Sequence, residues 1–414
     1  MKHFRACCVS LFAAILGACA EDPAAPARSS IEGRIQYTDG QPAEGVVVIV
    51  GNKPPVNSDA AGMFRVDRVG PTYDITLLNG ASALVYSGLT RRDPFFEFWG
   101  GGLGRGGFNP PFVSFSTATI SGVVPPAADK TTKVYFAPND MVSGAIASPS
   151  TGDFTLEVRW SGPTVEGTLY LLRWTAGADG LPAQYDAFAS RPLVLTAGSS
   201  TTEGFTGADL SDPPEAQVSG SVGIPSGYEL ESITTMMSIG GASFLYNWQY
   251  RRPIPGATFD YTVPILPDAE FSVEAFASQE GQHTFRRRPH ITPPESGIVL
   301  DLPLSPQIIA PANASVVGRW TEFRWMEGGG PGVYCVWITG PTNFVLFLNG
   351  TSTRIPDLRE HGFGLRPGGY YTWAVYKYFQ YANVDELASF EERHTTRPEI
   401  GFAYSSDRTF TTPP

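Results

Sequence analysis

Apolar and polar residues alternate over short stretches along most of the chain. In Phe154-Thr155-Leu156-Glu157-Val158 and in Phe271-Ser272-Val273-Glu274-Ala275, every second residue is apolar. Because successive side chains of a strand point to opposite faces, this period of two predicts half-buried β-strands. Beyond the first 20 residues, the helical recurrence of apolar residues is offered only by the short segment Asp385 to Arg393. The pattern therefore predicts an all-β protein.

Three segments share one opening pattern of aliphatic, polar, glycine, any residue and aliphatic. They are Ile31-Glu32-Gly33-Arg34-Ile35, Ile120-Ser121-Gly122-Val123-Val124 and Val218-Ser219-Gly220-Ser221-Val222. Their starts lie 89 and 98 residues apart, close to the roughly 100 residues of a two-sheet sandwich. The spacing indicates a repeated sandwich, and a chance likeness between short strands is the alternative.

The chain is too long for a single core, and its 45 glycines and 36 prolines suit many short strands joined by tight turns. We therefore predict tandem small β-sandwiches, Ig-like or transthyretin-like, after a signal peptide and a disordered tether. The predicted divisions are a signal peptide over 1–18, a tether over 19–30 and sandwiches over 31–117, 118–212, 216–305 and 306–414.

The first sandwich carries two recognisable turns. Asp39-Gly40-Gln41-Pro42 forms a "DG-x-P" turn, and Asp59 to Phe64 reads "D-x-x-G-x-F". With the glycine-containing first strand, these motifs resemble carboxypeptidase regulatory-like domains, which have a transthyretin-like sandwich fold. The resemblance covers residues 31 to about 78 and implies a structural or binding module without catalytic residues of its own. Residues beyond it form an extension rich in aromatic residues and glycine.

The last sandwich contains Leu365-x-Pro367-Gly368-x-x-Tyr371, followed by Trp373 and Val375 at alternate positions. This segment resembles the tyrosine corner of fibronectin type III domains. The resemblance implies that the Tyr371 hydroxyl bonds to upstream backbone, while alternate side chains from Tyr371 onward point into the core. Residues 378–404 are expected to form a long polar insertion before the final strand.

The first 18 residues have a short basic start, an apolar run and small residues, which is the layout of a secretory signal. The junction Leu16-Gly17-Ala18-Cys19 resembles the lipobox of bacterial lipoproteins, in which the cysteine is acylated with chains such as palmitate and becomes the new N-terminus. An ordinary secretory signal followed by a chance cysteine is the alternative. Several acyl chains would hold the protein on a membrane, since each buried CH₂ contributes about 0.8 kcal/mol.

The segment after Cys19 is rich in alanine, proline and charge, and it reads as a disordered tether. By the same resemblance, Ala20 directly after the cysteine favours the outer membrane over the inner membrane. The expected location is the cell envelope, with the lipid on Cys19 as the membrane contact. Cys335 lies in an apolar stretch and is expected to be a buried small hydrophobic residue.

The formal net charge of −11 argues against nucleic-acid binding, which requires clustered positive charge. The basic run Arg286-Arg287-Arg288 is interpreted as a solvated strand end or loop. Gly102-x-Gly104-x-x-Gly107 matches a dinucleotide fingerprint in spelling, but Pro110 and Pro111 follow where a helix would have to begin. No histidine stands in a metal-ligand motif, and no nucleophile elbow is present. We therefore expect no enzyme, no metal and no cofactor.

Residues 93–115 are unusually aromatic and are interrupted by glycines. These aromatic residues either fill core space between the first two sandwiches or form an exposed surface for a protein or glycan ligand. We predict the exposed surface, made of Phe95, Phe96, Phe98, Trp99 and Phe108.

The resulting hypothesis is a lipid-anchored envelope protein that acts as a binding or structural module, with protein or carbohydrate recognition and without catalysis. An accessory subunit that pairs its strand edges with a larger partner is a second hypothesis. A hydrolase whose catalytic residues converge only in the folded chain is a third.

Replacing Cys19 by serine tests the anchor. Serine offers no thiolate for the thioether bond, so the Cys19→Ser protein should leave the membrane fraction and lose incorporation of labelled fatty acid. Fractionation of cells expressing each form measures both effects. A serine variant that stays membrane-bound and lipid-labelled would contradict the lipobox assignment.

Overall fold

The computed structural model describes residues 29–37, 40–98, 115–138, 143–178, 180–239, 243–250, 256–394 and 399–414. About 59% of the chain is strand and about 4% is helix, arranged as tandem β-sandwiches. The predicted all-β class is therefore confirmed. The leader, Cys19, Trp99 and Phe108 lie outside the described residues.

The first sandwich packs a sheet of order β4-β1-β7 against strands of order β6-β5-β2-β3. Its core lies between these two layers. The strands are β1 (Ser29–Tyr37), β2 (Val47–Val50), β3 (Val56–Asn57), β4 (Met63–Val69), β5 (Tyr73–Asn79), β6 (Ser82–Leu89) and β7 (Phe95–Phe98).

The second sandwich consists of a four-stranded sheet of order β10-β9-β12-β13 and a three-stranded sheet of order β11-β8-β14. The long hairpin of β12 and β13 projects furthest. The strands are β8 (Phe115–Val123), β9 (Thr131–Pro138), β10 (Ser143–Ile146), β11 (Asp153–Ser161), β12 (Thr164–Ala176), β13 (Pro182–Thr196) and β14 (Ser200–Thr202).

The third sandwich packs a sheet of order β18-β15-β21 against strands of order β17-β16-β19-β20. The strands are β15 (Glu215–Gly223), β16 (Glu229–Ile239), β17 (Ser243–Tyr250), β18 (Thr258–Pro264), β19 (Ala269–Gln279), β20 (Gln282–Ile291) and β21 (Glu295–Asp301). The basic run Arg286-Arg287-Arg288 lies inside β20, so its interpretation as a strand end or loop is wrong. The three arginines form salt bridges with Glu399, Glu274 and Glu295.

The fourth sandwich packs a sheet of order β22-β24-β27 against strands β29-β28-β25-β26, with β30 pairing both β28 and β23. Two short helices lie before β29. The elements are β22 (Gln307–Ala310), β23 (Ser315–Val316), β24 (Glu322–Met326), β25 (Val333–Thr339), β26 (Asn343–Leu348), β27 (Ser352–Arg354), β28 (Tyr370–Tyr378), α1 (Val384–Leu387), α2 (Phe390–His394), β29 (Ile400–Tyr404) and β30 (Arg408–Thr411).

The three repeated segments fall on β1, β8 and β15, which occupy the same place in their sandwiches. Each is the middle strand of a three-stranded sheet, with an antiparallel neighbour on one side and a parallel neighbour on the other. The sequence repeat is therefore a repeat of topology as well as of spelling.

The glycine of each repeat is explained by the residue opposite it on the antiparallel neighbour. In all three sandwiches that residue is a buried phenylalanine, and the pairs are Gly33 with Phe64, Gly122 with Phe154 and Gly220 with Phe259. A Cβ atom added to these glycines would lie 2.2, 3.1 and 2.7 Å from the respective rings. The phenylalanine ring therefore packs over the glycine, which leaves it the space that a side chain would fill.

Strands of different sandwiches join into one sheet of 14 described strands. Residues Asn343–Phe347 of β26 pair in parallel with Ser82–Tyr86 of β6, which links the fourth sandwich to the first. Strand β20 pairs antiparallel with β29, which links the third sandwich to the fourth. Side chains of β6 alternate between two cores, because Leu84 faces the first sandwich and Val85 faces the fourth.

The segment 378–404 is more ordered than the expected polar insertion. The helical pattern predicted over Asp385 to Arg393 is confirmed by α1 and α2, which are separated by Ala388 and Ser389. The Asp385 carboxylate accepts hydrogen bonds from the backbone N–H groups of Thr90 and Arg91, at 2.8 and 3.0 Å. This segment thus attaches the fourth sandwich to the first a second time.

The hydrogen bond predicted for the tyrosine corner is present. The backbone N–H of Arg366 donates to the Tyr371 hydroxyl over 2.8 Å, and Thr342 Oγ1 lies 3.1 Å from the same oxygen. Tyr371, Trp373 and Val375 are fully buried, as predicted. Leu365 packs against the same core, Pro367 follows in the turn, and Gly368 adopts a positive φ of 64°.

Replacing Tyr371 by phenylalanine should weaken the fourth sandwich by about 1–3 kcal/mol, because the Arg366 N–H loses its acceptor. Hydrogen exchange of the β28 and β30 amides in the whole chain measures this local loss. Tyr370, which is 60% exposed, provides the matched control. Equal protection in Tyr371→Phe and Tyr370→Phe would show that the corner contributes nothing.

Candidate functional site

The predicted aromatic surface is wrong for the two of its side chains that the structure describes. Phe95 is 3% exposed and Phe96 is fully buried. Neighbouring residues of β7 point to opposite faces, and both faces are covered. Phe96 packs against Tyr86 in the first core with ring centroids 4.6 Å apart, whereas Phe95 meets the edge of Phe390 from α2 at 5.0 Å.

The remaining members of that predicted surface lie outside what the structure describes. Strand β7 includes Phe98, but its side chain is not described, and neither are Trp99 and Phe108. The alternative of core packing is correct for Phe95 and Phe96. Their contacts are with the first and fourth sandwiches, however, and not with the second.

Replacing Phe96 by alanine should destabilise the first sandwich by about 3–5 kcal/mol, the usual loss when a buried phenylalanine is truncated. Chemical denaturation followed by tryptophan fluorescence measures the shift. Trp320→Ala serves as the exposed control, since Trp320 is 60% exposed and should change stability by at most about 0.5 kcal/mol. An unchanged midpoint for Phe96→Ala would contradict the buried placement.

A cleft of about 730 Å³ lies between the second and third sandwiches. Its floor is one face of β16, β19 and β20, and its opposite wall comes from β9, β12 and the start of β13. The floor residues share a face because Thr234 pairs with Glu274, Ser232 with Phe276, and Phe276 with Phe285. We call this space the inter-sandwich cleft.

The opposite wall presents one ammonium group. The Lys133 Nζ lies 5.5 Å from the ring centroid of Trp174, a cation–π contact, and burial lowers the pKa of Lys133. Among the described carboxylates, none forms a salt bridge with Lys133. By contrast, the nearby Lys130 pairs with Asp186 at 2.5 Å. Lys133 is therefore a partly desolvated cation whose charge is opposed only by an aromatic ring.

The floor presents one carboxylate. Glu274 Oε1 lies 3.5 Å from Arg287 Nε, and both side chains are 22% exposed. Burial raises the pKa of Glu274, while the positive charge of Arg287 opposes that rise. With Glu274 compensated by Arg287, the charge left over in the cleft is the positive charge of Lys133.

The floor continues into a row of half-buried rings across the large sheet. We call Phe276, His283, Tyr404, Tyr376 and Trp337 the aromatic ladder, in which successive ring centroids lie 5.4, 4.6, 5.0 and 5.6 Å apart. Such ring pairs are worth about 0.5–1.5 kcal/mol beyond area burial. The ladder joins the third sandwich to the fourth and ends in the cleft at Phe276.

A second cleft, of about 910 Å³, lies between the first and fourth sandwiches. Its walls are mostly charged and polar, with Asp74, Asp357 and Glu360 among them. Asp357 is neutralised by Arg359 at 2.6 Å, and the hydrogen bond lowers the pKa of Asp357. It offers few apolar surfaces, so the inter-sandwich cleft is the stronger candidate for ligand binding.

The described part of the chain contains no cluster of three or more His, Cys, Asp or Glu side chains that could hold a metal ion. Cys335 is fully buried, and burial raises the pKa of its thiol, so the prediction of a small buried hydrophobic residue is confirmed. None of the helices in the described ranges has the length and apolar character needed to cross a membrane.

No protein-family model matches this chain, and no curated protein matches it. Among solved structures, the Bacillus anthracis TIE protein matches over 66% of this chain and 49% of its own, with 9% identity and a TM-score of 0.16. This match therefore spans about half of that protein.

Two pilins also match. The major pilin subunit of Bacillus cereus is 7% identical, over 67% of this chain and 99% of its own, with a TM-score of 0.14. A streptococcal ancillary pilin is 8% identical, over 66% and 98%, also with a TM-score of 0.14. Scores this low carry no argument about fold or function, which rest on the geometry above.

Sequence reasoning did not single out the residues of the inter-sandwich cleft. Lys133 and Trp174 come from the second sandwich, whereas Glu274, Phe276 and Phe285 come from the third. The alternation over residues 271–276 places Glu274 and Phe276 on one face of a strand, which is the only signal the sequence carries. The opposite wall could not be predicted, because it depends on how two sandwiches dock.

Proposed function

We propose that this protein is a lipid-anchored cell-envelope protein that binds a ligand in the inter-sandwich cleft, without catalysing a reaction. The observation that carries the proposal is the cleft itself, with aromatic rings, hydroxyl groups and a single uncompensated cation in about 730 Å³. Ligand sites of this size commonly combine apolar walls with a few polar groups.

The chemistry of the cleft favours binding over catalysis. The one carboxylate of its lining, Glu274, is paired with Arg287, and no histidine or cysteine lines the cleft. A hydrolase would need an acid, a base or a nucleophile directed at one reacting atom. Lys133 is held over Trp174 and suits the role of a charged contact to a ligand.

The anchor and the location follow from the lipobox-like residues. Acylation of Cys19 would place the sandwiches on the outer membrane, with residues 20–28 as the tether to β1. Tandem rigid sandwiches then hold the cleft at a distance from the lipid surface. The first sandwich is proposed to be a carboxypeptidase regulatory-like domain and the last a fibronectin type III-like domain.

One observation favours the second candidate, an accessory subunit of an envelope complex. Strand β17 lies at the end of the large sheet and, among the described strands, pairs only with β16. Its other side offers backbone donors and acceptors to a strand from another protein.

Blocking the cleft tests the proposal. Purified, fluorescently labelled protein should bind to envelopes isolated from the source bacterium, and Ser232→Trp should reduce that binding at least about tenfold by filling the cleft. Ser87→Trp places the same side chain in the cleft between the first and fourth sandwiches and should bind like the unmodified protein. Equal binding by both variants would refute the proposal.

The accessory-subunit candidate has its own readout. A photo-crosslinking residue at position 247, in the middle of β17, should capture one defined partner protein in whole cells if that candidate is correct. The same residue at Ser232 should then capture none. The opposite pattern supports the cleft.

A further inference from the structure

We infer that the inter-sandwich cleft binds a carboxylated sugar, namely a uronic-acid residue of a polysaccharide. This inference rests on the proposed function and names the ligand class of the same site. It is carried by the placement of one uncompensated ammonium, two phenylalanine rings and two hydroxyl groups around a single space.

The strands under the cleft exclude recognition of an extended peptide through its backbone. β16 pairs with β17 and β19, β19 pairs with β16 and β20, and β20 pairs with β19 and β29. Every strand of the floor therefore has a hydrogen-bonded neighbour on both sides. Peptide binding by strand addition requires a free edge, so the ligand must be recognised by side chains.

The side chains of the floor suit a sugar ring. Phe276 stacks on His283 through one face, so a ligand in the cleft can reach its other face. Aromatic rings pack well against the apolar C–H faces of sugars, while hydroxyl groups bond to their rims. Ser232 and Thr234 supply hydroxyl groups beside Phe276, and Glu274 supplies a carboxylate that accepts from sugar hydroxyls.

The charge of the cleft selects an acidic sugar over a neutral one. Glu274 is paired with Arg287, whereas Lys133 lacks a carboxylate partner among the described residues. A partly buried ammonium gains most from a ligand that brings a negative charge and an oxygen acceptor together. A sugar carboxylate supplies both. A neutral sugar would leave the desolvated ammonium without a charged partner.

The size of the cleft fits a short stretch of polysaccharide. A space of about 730 Å³ lies within the range of roughly 300–1,000 Å³ that is typical of small-ligand sites. The cleft is open at the side where the aromatic ladder leaves it, so a chain longer than the bound residues can continue along the sheet.

Calorimetric titration of the purified full chain tests the inference with defined probes. The probes are trimers of galacturonate, glucuronate and mannuronate, together with the neutral trimers of galactose, glucose and mannose. At least one acidic trimer should bind about tenfold or more tightly than its neutral counterpart. Its affinity should fall as salt is added, as expected for a charge-assisted contact.

Variants assign the preference to Lys133. Lys133→Met keeps the length of the side chain and should remove the preference for the acidic trimer, whereas Lys133→Arg should keep it. Lys53→Met, in the first sandwich, is the matched control and should bind like the unmodified protein. Equal affinity for acidic and neutral trimers, or a preference that survives Lys133→Met, would overturn the inference.

The outcome is separable from that of the proposed function. If no acidic trimer is preferred but Ser232→Trp still abolishes binding to envelopes, the cleft binds another class of ligand and only this inference fails. If Ser232→Trp has no effect on envelope binding, the proposed function fails as well.

Discussion

A strand at the edge of a sheet carries unpaired backbone N–H and C=O groups, and the pairing of β6 with β26 removes two such edges at once. Because of this pairing, the large sheets of the first and fourth sandwiches are one sheet. Side chains on either face of β6 then belong to different cores. The buried amide of Asn343 lies 3.4 Å from the Ser82 hydroxyl and adds a polar contact to the same junction.

The local architecture was predictable because it depends on residues close in sequence. Alternation of apolar residues identified strands, and the glycine repeat identified β1, β8 and β15 as equivalent. The physical reason for the repeat, a phenylalanine ring over each glycine, is also visible in the sequence, since Phe64 and Phe154 each follow a glycine by two residues. The tyrosine-corner hydrogen bond at Tyr371 was predictable for the same reason, since its partner is Arg366.

The associations between sandwiches were not predictable, because they join residues that are far apart in the chain. Phe95 appeared available for binding while only its neighbours in sequence were considered. Its cover, Phe390, comes from a helix almost 300 residues later. The inter-sandwich cleft depends in the same way on the docking of β9 and β12 against β16 and β19. A local pattern assigns a face to Glu274 and Phe276 but cannot show what lies opposite them.

The pairing of β6 with β26 also has a consequence for the order in which the chain matures. Their contacting residues lie 261 positions apart, and a closure over that distance carries a large entropic cost before it is rewarded. During synthesis, β6 is complete long before the ribosome reaches β26. The first sandwich must therefore wait with an open edge while the second and third are made, and the N-terminal part of the protein is the last to reach its final form.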